Sequence, residues 1–181
     1  MNSNLEVLIL PGINGSGPQH WQTYWEKANP EYRRVVERDW THPVCDEWMQ
    51  PLENAVKTFG PGTVLVAHSL ACLQVAHWAQ QTTLRIRGAF LVAPPDPENP
   101  NFPDTVSGFS PAPLRKLPFP SMLVASSNDP YGDLGFSLRL AEAWGSKFVN
   151  IGPAGHINAD SGLGDWLEGY QLFRSFLKQK S

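Results

Sequence analysis

The run Thr63-Val-Leu-Val-Ala-His-Ser-Leu-Ala-Cys72 decides the fold of this chain. Its first five residues, Thr63–Ala67, are apolar or β-branched, which predicts a buried strand. The residues Leu70–Gln81 then show the spacing of a helix. Ser69 therefore stands in a sharp turn that leads from a strand directly into a helix, at the edge of the predicted sheet.

Small residues flank Ser69 on both sides of this turn. Ala67 precedes it by two positions and Ala71 follows it by two. A turn that holds a serine in a strained backbone conformation requires small residues here, usually glycine. Alanine is the next smallest residue, so we expect the same turn in a tighter form. A serine that merely caps the following helix is the simpler alternative.

Short apolar runs alternate with segments of helical period along the chain, which is typical of a parallel sheet covered by helices. The sequence predicts six strands, the second of them a weak edge strand: Glu6–Leu10, Tyr32–Arg38, Thr63–Ala67, Gly88–Ala93, Ser121–Ala125 and Lys147–Ile151. It predicts five helices, the second of them capped by Asp46: Pro18–Ala28, Asp46–Thr58, Leu70–Gln81, Phe136–Trp144 and Leu163–Lys178. We expect residues 1–181 to form one domain, a three-layer α/β/α sandwich around a mostly parallel six-stranded sheet.

The segment Pro94–Pro120 contains nine of the seventeen prolines. Prolines at this density exclude a regular helix or strand, and few connections in small domains are this long. Such segments are either binding loops or ordered excursions over the surface. Because this one follows the end of a predicted strand, on the edge that carries Ser69, we favour a role as a pocket wall.

The composition argues against nucleic-acid and membrane partners. The chain has 181 residues, of which 41% are hydrophobic and 17% charged, and its net charge is −3. This balance favours neither nucleic acid nor a membrane surface, and no apolar run approaches the ~20 residues of a membrane span. The first residues lack the pattern of a signal peptide. We expect a cytoplasmic protein in which Cys45 and Cys72 are reduced thiols.

Two further residues follow predicted strands and complete a pattern with Ser69. Asp129 follows the fifth strand, and His156 follows the sixth strand in a glycine-rich loop. A serine hydroxyl is a poor nucleophile unless a base takes its proton and an acid orients that base. The order serine, acid, histidine at successive strand ends is that of the α/β-hydrolases. We therefore predict Ser69 as the nucleophile, His156 as the base and Asp129 as the acid.

Other carboxylates compete for the role of the acid. Asp96 follows the fourth strand and is the main alternative to Asp129, whereas Asp133 and Asp160 are weaker candidates. Asp129 could also simply form a turn with its own backbone. No grouping of histidine, cysteine and carboxylate residues has zinc or calcium spacing, so we expect neither a metal nor an organic cofactor.

The backbone around Ser69 also predicts an oxyanion hole. The helix that begins at Leu70 presents a free N–H group and its positive end to a developing negative charge. A second donor is expected from the glycine-rich loop Pro11–Gly17, where Ile13 and Asn14 are the candidates. This loop lacks the Lys-Ser/Thr ending of a phosphate-binding loop.

The remaining histidines have less specific surroundings. His20 and Trp21 lie close to the glycine-rich loop in sequence, so we predict that both contact the substrate. His68 directly precedes the predicted nucleophile and should pack against or orient its neighbours. His77 lies within a helix and His42 in a loop before proline, and neither suggests a catalytic role.

These motifs resemble those of the small serine-hydrolase family of the α/β-hydrolase superfamily, which includes the retinoblastoma-binding serine hydrolase and many short bacterial proteins. The resemblance covers nearly the whole chain and rests on Leu10-Pro-Gly12, Gln19-His-Trp21, Ala67-His-Ser-Leu70, Ser127-Asn-Asp-Pro130 and Gly155-His156. It implies a compact α/β-hydrolase fold without a large cap domain, with Ser69, Asp129 and His156 as the triad. Ala71 departs from the family pattern, because many relatives have glycine there.

The predicted function is that of a serine hydrolase that cleaves a small-molecule ester, or a related thioester or amide, through an acyl-enzyme intermediate. The alternative is a protein-interaction scaffold on a hydrolase fold, with little or no turnover. The intact triad favours the enzyme, because folding alone does not require these three residues in this order. Neither the natural substrate nor the oligomeric state follows from the sequence.

Overall fold

Six parallel strands form a single sheet at the centre of the molecule. A computed structural model describes residues 5–178 and gives the strands as β1 (Glu6–Leu10), β2 (Arg33–Arg34), β3 (Thr63–His68), β4 (Gly88–Val92), β5 (Ser121–Ala125) and β6 (Lys147–Asn150). Their order is β2-β1-β3-β4-β5-β6, and every neighbouring pair is parallel. The strand order reverses between β1 and β3, which opens the crevice where sheets of this type bind ligands.

In the described part of the chain, five helices cover the two faces of the sheet: α1 (Trp21–Ala28), α2 (Cys45–Phe59), α3 (Leu70–Gln81), α4 (Leu134–Trp144) and α5 (Leu167–Lys178). Short 3-10 turns lie at Ile13–Gly15 and Ala159–Ser161. None of the helices within residues 5–178 is both long and apolar enough to cross a membrane.

Alternate residues of each strand face opposite layers of the molecule. Leu65 and Leu91 pack in the cluster that α2, α3 and α4 form on one face. Val66 and Phe90 pack with α1 and α5 on the other face. The result is the predicted three-layer α/β/α sandwich, and across residues 5–178 no large cap domain covers the sheet.

The second strand lies at the predicted edge of the sheet but is shorter than predicted. Its pairing with β1 is limited to Arg33 and Arg34, in place of Tyr32–Arg38. An edge strand pairs on one side alone, and the Arg34 guanidinium instead binds Glu26 and the carbonyl groups of the glycine-rich loop. The Val35 N–H group still donates to the Ile9 carbonyl over 2.9 Å, and the Arg34 side chain links this edge of the sheet to α1 and to the loop.

Two helices begin differently from the prediction: α2 lacks the predicted cap, and α5 begins later. α2 begins at Cys45 after Val44, and no side chain caps it. Asp46 lies inside the first turn instead, where a carboxylate is favourable near the positive end of the helix. α5 begins at Leu167 rather than Leu163, because two glycines and a tryptophan with positive φ interrupt the preceding residues.

Capping side chains set the starts of two other helices. His20 accepts a hydrogen bond from the Gln22 N–H group, so α1 begins after it rather than at the predicted proline. Asp133 accepts one from the Phe136 N–H group, so α4 begins slightly earlier than predicted. In both helices the cap, rather than the apolar pattern, decides where the first turn forms.

A buried carboxyl group lies between the sheet edge and α3. Glu37 is 6% exposed, and its Oε1 accepts a hydrogen bond of 2.8 Å from Gln74 Nε2. Glu37 Oε2 and Gln74 Oε1 find no hydrogen-bond partner among the described residues. Burial raises the pKa of Glu37 to about 7, although the hydrogen bond from Gln74 acts in the opposite direction.

Removal of this carboxyl should stabilise the fold increasingly as the pH rises. The pKa of Glu37 is raised in the folded state. The contribution of this carboxyl to the free energy of unfolding is therefore fully present when the pH is below the ordinary pKa, and it is lost as the pH rises through about 7. We expect the stability advantage of Glu37→Gln over the wild type to grow between about pH 5 and pH 8, measured by urea unfolding. The exposed Glu142→Gln is the control, and an advantage of Glu37→Gln that does not change with pH would contradict this account.

Candidate active site

Ser69 occupies the sharp turn between β3 and α3. Its φ of 56° and ψ of −127° lie in a region that residues other than glycine rarely adopt. Ala67 and Ala71 are fully buried on either side, so two alanines are compatible with this turn. Gly12 packs directly against the turn, since a Cβ added there would lie 2.9 Å from Ser69 Cβ. The backbone just after β1 therefore lies so close to the serine that a side chain at Gly12 would clash with it.

The structure brings Ser69, His156 and Asp129 into one hydrogen-bonded chain. Ser69 Oγ lies 2.8 Å from His156 Nε2, and His156 Nδ1 lies 2.9 Å from Asp129 Oδ2 and 3.0 Å from Oδ1. A carboxylate only accepts hydrogen bonds, so Nδ1 carries the hydrogen and Nε2 of the neutral ring accepts the serine hydroxyl. The Asp129 side chain is 2% exposed and that of His156 9%, so both contacts are shielded from water.

The other carboxylates considered for the acid have different partners. Asp96 Oδ1 accepts the Glu98 N–H group in a loop, and Asp133 caps α4. Asp160 is exposed in a 3-10 turn. Asp129 is therefore the candidate whose carboxylate reaches the histidine.

Two backbone N–H groups beside Ser69 are free to bind an oxyanion. Leu70 is the first residue of α3, and within residues 5–178 neither its N–H group nor that of Ile13 donates to a protein acceptor. The Asn14 N–H group donates to the Trp40 carbonyl over 3.0 Å. The alternative donor Asn14 is thereby excluded, and Ile13 remains.

A cavity of about 300 Å³ opens beside the serine. Among residues 5–178 its lining is polar and apolar and includes no Asp, Glu, Lys or Arg: Ile13, Asn14, Ser16, Gly17, His20, His68, Ser69, Pro95, Phe102, Pro103, Tyr131, His156, Asn158 and Ala159. Pro95, Phe102 and Pro103 belong to the proline-rich segment, which therefore forms a wall of this pocket as predicted.

A family model described as Serine hydrolase matches residues 7–175 of the chain. The chain belongs to this serine hydrolase family. A solved structure described as a YdeN-like hydrolase from Pectobacterium atrosepticum is 31% identical in sequence, with a TM-score of 0.84, and the match covers 96% of this chain and 90% of that one. The resemblance inferred from the sequence motifs is confirmed.

More distant structures share the fold of this serine hydrolase. The ydeN gene product of B. subtilis is 21% identical, with a TM-score of 0.80, and the match covers 97% of this chain and all of that one (100%). A thermophilic esterase from Thermogutta terrifontis is 16% identical, with a TM-score of 0.69, over 97% of this chain and 90% of that one. A search of curated proteins gave no match.

In this serine hydrolase, two further residues hold the glycine-rich loop in place. Neither was predicted from the sequence. Arg34 donates to the Gly15 and Ser16 carbonyls over 2.6 and 3.1 Å. Gln22 is fully buried, and its Nε2 donates to the Leu10 carbonyl of β1 and the Val66 carbonyl of β3. Its Oε1 accepts from Ser16 Oγ over 2.7 Å. The sequence contains one indication of this role, since Gln22 lies between two tryptophans on the buried face of α1.

The two residues predicted to contact substrate have different surroundings. His20 lines the cavity, and its pKa is lowered to about 3, first by burial and then by the nearby Arg34 and His156. His20 is therefore neutral at ordinary pH. Trp21 does not line the cavity: it is 1% exposed inside the aromatic cluster, and its Nε1 donates to the Ile157 carbonyl. The prediction that Trp21 contacts substrate is wrong, because its side chain points under the site rather than into it.

Proposed function

We propose that this serine hydrolase cleaves small uncharged esters through an acyl-enzyme intermediate on Ser69. The observation that carries the proposal is the chain of contacts from Ser69 Oγ to His156 Nε2 at 2.8 Å and from His156 Nδ1 to Asp129 Oδ2 at 2.9 Å. Contacts of this length between a nucleophile, a base and an acid support proton transfer during attack. The serine hydrolase family assignment supports the hydrolytic reaction class.

Acylation begins when Ser69 Oγ attacks the ester carbonyl carbon and His156 Nε2 takes the hydroxyl proton. The Asp129 carboxylate keeps the hydrogen on Nδ1 and stabilises the imidazolium that forms. The tetrahedral intermediate then collapses, the bond to the leaving alcohol breaks, and His156 returns the proton to the alcohol oxygen. The acyl group remains bound to Ser69.

The negative charge of the tetrahedral intermediate would be held by the N–H groups of Leu70 and Ile13. Both are free of protein acceptors within the described residues, and the positive end of α3 adds to the attraction. Donors that are already oriented stabilise a developing charge without reorganisation, which is commonly a large part of catalysis in acyl transfer. Gly12 lets the loop that carries Ile13 approach Ser69.

Deacylation repeats the same steps with water as the nucleophile. His156 Nε2 takes a proton from the attacking water, and the second tetrahedral intermediate collapses to release the acid and regenerate Ser69 Oγ–H. Every proton in this cycle moves between Ser69, His156, water and the substrate. The proposed chemistry therefore uses protein groups and water alone.

The cavity supports a small uncharged acyl substrate. Its volume of about 300 Å³ is at the lower end for ligand pockets, and none of the described residues that line it is an Asp, Glu, Lys or Arg. A carboxylate or ammonium group on the substrate would lose its hydration there without gaining an opposite charge. Short neutral acyl groups fit both the size and the chemistry of these walls.

Hydrolysis of p-nitrophenyl esters of graded acyl length tests the proposal. We expect measurable turnover of acetyl and butyryl esters, slower turnover of the octanoyl ester, and weak turnover of a succinyl monoester of butyryl size. Thioester and anilide analogues of the best acyl group then compare the leaving groups. Hydrolysis of every compound no faster than in buffer would contradict the proposal and favour an interaction scaffold.

Phe102 should limit the length of the acyl chain. Its ring belongs to the proline-rich wall of the cavity, and its replacement by alanine removes that part of the wall. We expect Phe102→Ala to raise the ratio of octanoyl to butyryl kcat/KM by about 10-fold, the range that a few methylene contacts supply. Leu114→Ala is the control, because Leu114 lies in the same segment, is 65% exposed and does not line the cavity. An unchanged ratio in Phe102→Ala would show that another surface holds the acyl chain.

A further inference from the structure

Two carbonyl groups in the turn that carries His156 accept hydrogen bonds from side chains in distant parts of the chain. His68 Nε2 donates to the backbone carbonyl of His156 over 3.0 Å. Trp21 Nε1 donates to the next carbonyl, that of Ile157, over 2.8 Å. His68 is the last residue of β3 and Trp21 the first residue of α1. We propose that Trp21 and His68 are positioning residues that hold the His156 ring against Ser69. This inference rests on the proposed function.

The backbone of this turn needs an external constraint. Gly155 has a φ of 57° and Ile157 a φ of 48°. A β-branched residue in the left-handed region is a genuine outlier, and it persists only where its surroundings hold it. Within the turn itself, the Ile157 N–H group makes a contact of 3.2 Å with the Ala154 carbonyl. Asn128 Oδ1 accepts the Gly155 N–H group over 2.7 Å and Ser126 Oγ accepts the Ala154 N–H group over 2.9 Å, which holds the start of the turn. The bonds from the indole and the imidazole hold His156 and Ile157 themselves.

Both histidines beneath the base are neutral. Burial lowers the pKa of His68 well below its ordinary value, and the nearby His20 and His156 lower it further. Because a carbonyl oxygen only accepts, His68 must carry its hydrogen on Nε2. The His20 ring lies 4.6 Å from that of His68 and is also uncharged. His68 therefore holds the His156 backbone without placing a positive charge beside a base that must itself become positive.

Trp21 can act on the base without acting on the substrate. It is buried and does not line the cavity, and among residues 5–178 its side chain is linked to the site by one hydrogen bond, to the Ile157 carbonyl. The His156 ring must satisfy contacts of 2.8 Å to Ser69 and 2.9 Å to Asp129 at once. A small displacement of its backbone lengthens one of these contacts, and misplacement of a reacting group by about 1 Å can cost about 100-fold in rate. The loss should therefore appear in kcat rather than in KM.

The first test compares Trp21→Phe with Trp25→Phe. Both tryptophans lie in α1 and in the same aromatic cluster, and Trp25 Nε1 donates over 2.8 Å to the Asp165 carbonyl, away from the His156 turn. Each variant removes one buried N–H group and keeps an aromatic ring, so both should lower the melting temperature by similar amounts. We expect Trp21→Phe to lower kcat for p-nitrophenyl butyrate by about 10-fold with KM within about twofold. We expect Trp25→Phe to leave kcat unchanged.

A second pair of variants tests the other donor, His68. This test can be made even if Trp21→Phe does not fold. His68→Leu removes the N–H group, whereas the Nε2 of His68→Gln can reach the same carbonyl. We expect kcat to fall about 10-fold or more in His68→Leu and to be largely restored in His68→Gln. Equal kcat losses in the two His68 variants, or in the two tryptophan variants, would overturn the inference. A wild type that hydrolyses no ester would instead overturn the proposed function, so the two failures are distinguishable.

Discussion

Replacement of Ser69 by alanine should lower kcat/KM for p-nitrophenyl butyrate by about 10⁴-fold or more. The variant has no atom that can form the acyl-enzyme, so the residual rate comes from the oxyanion donors and the cavity alone. Steady-state kinetics with enough enzyme to measure the residual rate provide the test. Ser175→Ala, which removes an exposed hydroxyl from α5, should match the wild type.

A second substitution at the same position shows whether the fold survives. Ser69 has a φ of 56°, which glycine adopts without strain. We expect Ser69→Gly to be as inactive as Ser69→Ala but more stable, as measured by its melting temperature. An active Ser69→Ala variant would contradict the assignment of the nucleophile, whatever its stability.

Replacement of Asp129 by asparagine should lower kcat by about 10³- to 10⁴-fold. The asparagine side chain can present an N–H group to His156 Nδ1, which would then accept and leave the hydrogen on Nε2. In that tautomer the base cannot take the Ser69 proton. The expected loss is therefore large even though the side chain changes little in size, and it should appear mainly in kcat.

Asp96→Asn is the matched control for the acid. Asp96 is a carboxylate at the end of the neighbouring strand, and its side chain accepts a hydrogen bond from the Glu98 N–H group. Asparagine retains a side-chain oxygen for that bond, so kcat should remain within about twofold of the wild type. A large loss in Asp96→Asn together with a small loss in Asp129→Asn would exchange the roles of the two residues.

The sheet and the position of Ser69 followed from sequence because they depend on local pattern. The apolar run Thr63–Ala67 and the helical spacing after Ser69 are properties of adjacent residues. Parallel strands then place all their carboxyl ends on one edge, so the order of the strands alone brought Asp129 and His156 toward the serine. The length of β2 was less predictable, because this edge segment is held partly by contacts with other segments, such as those of Arg34.

The details of the site depend on contacts between distant segments and were therefore missed. Asn14 lost its predicted role because its N–H group meets the Trp40 carbonyl, 26 positions later. Trp21 faces Ile157 across a sequence separation of 136 residues. The periodicity of the sequence does not predict such contacts, because each partner taken alone has the pattern of an ordinary core or loop residue.

Backbone strain concentrates at this same edge of the sheet. Ser69, Ala93 and Ile157 all have positive φ, and they lie just after β3, after β4 and beside the base. Each such residue carries a cost of about 1–3 kcal/mol that the surrounding structure must offset. The densely packed layers on both faces of the sheet supply that support, and two of these residues, Ser69 and Ile157, lie in or directly beside the candidate site.

The most direct test of the account is covalent labelling by a fluorophosphonate, read by intact mass and peptide mapping. The probe phosphonylates a serine only where a base removes its proton. We predict one adduct per chain, on the peptide that contains Ser69, with no adduct in Ser69→Ala and much slower labelling in Asp129→Asn. An unlabelled wild type, or an adduct on any other residue, would contradict the assignment of Ser69 as an activated nucleophile.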